Sequence, residues 1–180
     1  MRRLMLLRHA KTETDAPSGR DQDRRLDERG LRDAAEMGGW ISRNPPFPAA
    51  VLVSPAVRTL QTWDIAWGAM KGVVPPPQVE QMEELYGADP TQLLTSIRMA
   101  SATDPKRLML VGHNPGMHEL ALALTGGGDA AARKALTDNL PTSGLAVLDF
   151  ATHDWDDVAF RRGKLVLFVS PKLLKQASND

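Results

Sequence analysis

Two pairings of residues carry the first chemical signal: Arg8-His9 near the start of the chain and His113-Asn114 well beyond its middle, with Ser54 and Arg58 between them. Arginine offers a planar fork of donors that matches phosphate oxygens, and free backbone N–H groups at a helix start add further donors. A histidine beside such cations can attack phosphorus and carry the phosphoryl group covalently, which divides one hard displacement into two easier ones. Two histidines, two arginines and a helix start gathered in one place would therefore form a small cationic pocket suited to a phosphoryl group.

The surrounding elements decide whether they gather. Leu4 to Leu7 is a continuous apolar run of the kind that forms a strand buried on both faces. Ala50-Val51-Leu52-Val53-Ser54 and Leu108-Met109-Leu110-Val111-Gly112-His113 read the same way. Between them, residues 28 to 43 place Leu31, Ala34, Ala35, Gly38 and Ile41 on one helical face, and residues 55 to 70 carry Leu60, Ile65 and Ala66. Asp27 suits an N-cap and Pro55 a first turn. Helices are also expected from Pro90 to Ala100 and over 116 to 125.

Strand and helix alternation predicts parallel βαβ units, so the fold class is α/β: a three-layer α/β/α sandwich with a mostly parallel central sheet and no cap domain. Residues 145–150 and 164–169 are expected to add an antiparallel pair at one edge. The proline clusters at 45–46 and 75–77 mark loops, and Gly126-Gly127-Gly128 is expected to stop a helix. One domain should span 1–175, with 176–180 frayed. In an open parallel sheet ligands bind beyond the carboxyl ends of the strands. Arg8 and His9, Ser54 and Arg58, and His113 and Asn114 all follow such ends.

Three segments, Leu7-Arg8-His9-Ala10-Lys11, Ser54-Pro55-Ala56-Val57-Arg58-Thr59-Leu60-Gln61-Thr62 and Val111-Gly112-His113-Asn114-Pro115-Gly116, resemble the signatures of the histidine phosphatase (phosphoglycerate mutase-like) superfamily. Asp21 to Gly30 is similar to the Asp-x-Asp-Arg-Pro-Leu-Thr-x-x-Gly stretch of its SixA phosphohistidine phosphatase branch, with Arg25 in place of proline and Asp27 in place of threonine. The resemblance covers most of residues 4 to 150. It implies that His9 is the catalytic nucleophile, that Arg8 and Arg58 bind phosphate oxygens, and that His113 donates to the phosphoryl group with Asn114 assisting. It also implies a general acid at Glu83, in the mutase-like register, or at Glu84, as in some SixA-type sequences. Imidazole leaves as a group with a conjugate-acid pKa of about 6.5, far less basic than an alkoxide, so phosphohistidine needs such an acid less than an ester does.

Composition narrows the remaining choices. The 180 residues hold 22 Lys+Arg, 22 Asp+Glu and no Cys. Absence of cysteine excludes disulfides, thiolate nucleophiles and Cys-type zinc sites. Charge balance argues against partners held by bulk electrostatics, so neither nucleic acid nor membrane is expected. No metal or other cofactor is called for, since His113 and His118 lie five apart where a helical metal pair prefers four. Lys11, Thr12 and Asp21 could line the pocket, whereas His118 and His153 should lie away from it. The Met and Trp residues at 37, 40, 63, 67 and 70 should serve packing.

A chain this short leaves no room for a large cap, so the favoured substrate is a phosphohistidine-bearing protein, such as a phosphorelay or phosphotransferase-system component, met in the cytoplasm by a monomer or weak dimer. The alternatives are a phosphomonoesterase for sugar phosphates or nucleotides and a catalytically silent phosphate-binding protein.

Overall fold

The computed structural model describes residues 1–179. Seven strands, β1 (Arg2–Arg8), β2 (Ala50–Val53), β3 (Gln78–Gln81), β4 (Arg107–Gly112), β5 (Thr125–Gly128), β6 (Leu145–Phe150) and β7 (Gly163–Val169), form one sheet in the order β3-β2-β4-β1-β6-β7-β5. Strands β3, β2, β4 and β1 pair in parallel, β6 runs antiparallel to both β1 and β7, and β5 pairs in parallel with β7. Helices α1 (Glu28–Arg43), α2 (Val57–Met70), α3 (Pro90–Met99), α4 (Gly116–Leu124), α5 (Ala130–Asp138) and α6 (Pro171–Ser178) cover it. No helix among the described residues is long and apolar enough to cross a membrane.

Alternation along the strands explains the layers. In β1, Leu4 and Leu6 face a core built with Leu93, Ile97, Met117 and Leu120 of α3 and α4, while Met5 and Leu7 face Met37, Ile41, Trp63 and Met70 of α1 and α2. Both faces are apolar, hence the unbroken run read from the sequence. Met37, Trp63 and Met70 are buried, and Trp40 and Trp67 pack against the same cluster.

Several expectations are revised. The buried stripe of α1 is Gly30, Asp33, Ala34, Met37, Gly38 and Ile41, and Leu31 and Ala35 are exposed. A Cβ on Gly30 would collide with the carbonyl of Lys11, and one on Gly38 with the backbone of Ala66, so small residues bring α1 against its neighbours. Asp27 caps α1 by accepting from the Gly30 N–H at 2.8 Å. Pro55 precedes the α2 N-cap, Ala56, rather than opening the helix. The antiparallel pair β6–β7 forms, but β5 lies outside it: Gly126-Gly127-Gly128 is edge strand, not a helix stop. Of the expected frayed end, residues 176–178 continue α6, and Asp180 lies outside the described residues.

Candidate active site

Strand register brings the pocket together. Arg8 in β1 is level with Gly112 in β4, so His9 and His113 follow on neighbouring strands, joined by a bond from the His9 N–H to the Gly112 carbonyl. Their ring centroids are 5.5 Å apart. Val53 is level with Val111, which sets Ser54 beside them, and the Ser54 hydroxyl lies 2.7 Å from Nε2 of His113. Arg58 enters from the first turn of α2. Below it, the Thr62 hydroxyl accepts from the Ala10 N–H and donates to the Arg58 carbonyl, tying α2 to the chain just after His9.

His9 is buried, and its Nδ1 lies 2.7 Å from the Ala10 carbonyl. A carbonyl can only accept, so Nδ1 carries the proton and Nε2 keeps its lone pair. Burial foremost, then the charges of Arg8, Arg58 and Arg24, lower the His9 pKa to about 4, although the Ala10 bond opposes them. His113 is lowered to about 3, again by burial first and by Arg58 next. Both rings are neutral at pH 7.

Among the described residues, four buried side-chain polar atoms lack a hydrogen-bond partner: Nε of Arg8, Nε of Arg58, Nδ1 of His113 and the Ser143 hydroxyl. Leaving such an atom unmatched costs about 1–3 kcal/mol, so their concentration marks donors arranged for an anion. In the tautomer that has Ser54 donating to Nε2 of His113, the unpartnered Nδ1 holds the proton and can donate to an anion. Arg8 is held by one bond, from Nη1 to the Leu140 carbonyl at 3.2 Å. Ser143, whose φ of 61° is left-handed, donates its N–H to the carbonyls of Arg8 and His9.

Other candidates separate by their contacts. Asn114 is a tie between segments: Nδ2 donates to Leu140 O at 2.8 Å and Oδ1 accepts from the His118 N–H. It thus braces the loop that also holds Arg8 while lining the cavity beside His113. Glu83 and Glu84 are exposed, and their carboxylates take no part in a hydrogen bond or ion pair among the described residues; the side chain that reaches the pocket from their segment is Tyr86, edge-on to His113 at 5.4 Å. Asp21 does join the pocket, bonded to Arg58, Arg24 and Tyr86. Thr12 stands one layer behind, accepting from Arg24, and Lys11 is exposed. His118 bonds Leu136 outside the pocket, and the His153 carbonyl accepts from Arg2.

The segment from Ala10 to Leu26 folds back on itself through a Thr12–Leu26 bridge and a bond from the Asp27 N–H to Lys11 O. A cavity of about 170 Å³ runs from His113 between residues 87–89 and the start of α4. A cavity of about 400 Å³ lies away from this site, against β2, β3 and α3, and no arginine, lysine or histidine lines it.

Residues 4–107 match the family described as the histidine phosphatase superfamily, branch 1. The chain belongs to that superfamily. This histidine phosphatase is 37% identical over 174 residues to an uncharacterised protein of Mycobacterium leprae, covering 92% of the chain and all of the relative. Among solved structures it is similar to a chain described as the phosphohistidine phosphatase SixA of Agrobacterium tumefaciens, at 33% identity and TM-score 0.75, covering 94% of this chain and 99% of that one. A SixA counterpart from Nakamurella multipartitia is 28% identical with TM-score 0.79, covering 94% and 96%. The protein is a phosphatase, a hydrolase of phosphoryl groups with the SixA-like fold.

Proposed function

We propose that this phosphatase removes phosphoryl groups from phosphohistidine displayed on partner proteins, by way of a phosphohistidine at His9. The observation that carries the reading is the state of His9: neutral, with its proton held on Nδ1 by Ala10, its Nε2 lone pair therefore available, and the charges of Arg8 and Arg58 close enough to disfavour its protonation. In the first step a bond forms from Nε2 to phosphorus as the substrate P–N bond breaks, and its electron pair returns to the leaving imidazole. In the second, water attacks phosphorus and inorganic phosphate leaves, restoring the Nε2 lone pair and releasing the water proton to the phosphate or solvent. Arg8, Arg58 and Nδ1 of His113 stabilise the charge spread over the equatorial oxygens.

Two observations favour a protein substrate. The segment between β3 and α3 is only residues 82–89, so no inserted domain rises over the strand ends, and a ring on another protein's surface could reach the pocket. The similarity to chains described as SixA phosphohistidine phosphatases points the same way. Phosphorelay and phosphotransferase-system components are the partners to test first.

A dephosphorylation panel of phosphohistidine proteins, sugar phosphates and nucleotides tests the reading, with His9→Ala as control. Phosphohistidine proteins should be turned over at least about tenfold faster than the esters, and turnover stopped in alkaline detergent, which preserves P–N bonds, should trap a labelled enzyme that is absent in His9→Ala. Comparable turnover of esters and none of phosphohistidine proteins would overturn it, as would a strong loss on Glu83→Gln or Glu84→Gln. Those carboxylates should have little effect on a leaving imidazole.

A further inference from the structure

Asp21 is a pocket side chain that the two steps above leave without a task. Its carboxylate accepts from Nη2 of Arg58 at 2.9 Å, from Nε of Arg24 at 3.0 Å and from the Tyr86 hydroxyl at 2.5 Å, and its backbone carbonyl accepts from Nη1 of Arg58 at 2.8 Å. A half-exposed acid thus occupies the fork that a phosphoryl group needs. Tyr86 in turn stands edge-on to His113, and the Arg58 guanidinium lies 5.9 Å from the Tyr86 ring centroid. The carboxylate is therefore anchored from three sides on the half-exposed rim of the pocket.

We propose that Asp21 determines substrate class, accepting a hydrogen bond from the distal ring N–H of a phosphorylated imidazole and so selecting P–N donors over phosphate esters. The assignment rests on the phosphohistidine reading of the site. When a phosphoryl group takes the Arg58 fork, the carboxylate is displaced from that cation but stays tethered by Tyr86 and Arg24, beside the departing ring.

The chemistry needs such a group. A phosphorylated imidazole whose distal nitrogen is protonated leaves as neutral imidazole: the P–N pair returns to the ring, the distal proton stays in place and no further proton is required. Unprotonated, it would leave as an anion. Burial and the arginines, Arg58 and Arg24 for both rings and Arg8 for His9, that drive His9 and His113 neutral would also drive the substrate's ring neutral, suppressing the better leaving form. A carboxylate facing the distal N–H reverses that bias. Asp21 can fill the role at any working pH, because the Tyr86 bond first and the arginines next lower its pKa to about 2. The same charge repels the oxygen of a departing alcohol, whose negative charge grows as the bond breaks.

Groups facing Asp21 are Arg58 from α2, Arg24 from its own loop, Tyr86 from the segment after β3, and His113 across the pocket. The test compares kcat/KM for a phosphohistidine peptide and for p-nitrophenyl phosphate in wild type, Asp21→Asn and Tyr86→Phe, from pH 6 to pH 8. Asp21→Asn should lose about tenfold or more on the peptide at pH 8, with the deficit shrinking toward pH 6 as solvent protonates the ring. It should gain severalfold on the ester, since a competitor for Arg58 is weakened. Tyr86→Phe, which only loosens the tether, should shift both in the same directions by less. Equal changes on the two substrates, or a deficit independent of pH, would overturn the role of Asp21 alone. A wild-type enzyme inactive on the peptide overturns the site reading and this assignment together.

Discussion

His9 and His113 are destabilised as cations by their surroundings, and this makes the molecule sensitive to acid. Their folded-state pKa values, about 4 and about 3, lie below the ordinary 6.5 of the unfolded chain. Between those limits the unfolded chain binds more protons, so the stability held above pH 6.5 declines as pH falls from 6.5, and the histidine contribution levels off once pH is below about 4 for His9 and about 3 for His113. Asp21 adds to the loss at lower pH still, because its depressed carboxyl stabilises the fold only while ionised. Melting temperature should therefore fall steadily below pH 6.5, and His9→Asn should flatten that slope. Slopes that coincide would show that His9 stays accessible to protons in the folded state. Arg8, His9, Arg58 and His113 were legible in sequence as a set because Arg8 ends a buried strand and the others sit just past one or a turn beyond. Asp21 and Tyr86 could not be linked: 65 positions separate them, and only the fold closes that distance. The support given by Asn114 was equally hidden, since its partners, Leu140 and His118, lie on separate segments.

Elements reached by close backbone approach escaped the hydrophobic pattern, while those driven by side-chain burial followed it. β1, β2 and β4 announced themselves as apolar runs, but β3 is Gln-Val-Glu-Gln with every residue exposed, and β5 is largely glycine, with no side chains to alternate. Glycine is required in β5 because a Cβ on Gly126 or Gly128 would enter the backbone of Arg161 or Leu165. The face of α1 was misjudged for the same reason: Gly30, Ala34 and Gly38, four apart, turn it toward close contacts and leave Leu31 outside. The two contacts have different duties. Gly30→Ala pushes on Lys11, two residues from His9, and should cost about 1–3 kcal/mol together with a loss of kcat/KM. Gly38→Ala pushes on Ala66, deep along α2, and should lower the melting temperature to a similar extent with much less effect on turnover. Equal kinetic losses in the two variants would contradict the division.

For the whole molecule, charge balance conceals a concentration of cations at one end of the sheet. An oxyanion that satisfies the unmatched donors of Arg8, Arg58 and His113 binds only the folded chain, so it should stabilise by RT ln(1 + [L]/Kd), about 2.7 kcal/mol at a hundred times Kd. Tungstate or phosphate should thus raise the melting temperature of the wild type, and Arg58→Gln should lose most of that rise. An equal rise in the variant would place the anion elsewhere. The opposite end of the sheet carries a different opportunity. Arg2 opens β1 there, clamped by Asp104, and seven residues at about 3.3 Å each set it roughly 20 Å from the strand end that presents His9. A chain tethered to a solid support through Met1 would stand with its mouth outward, open to the solution.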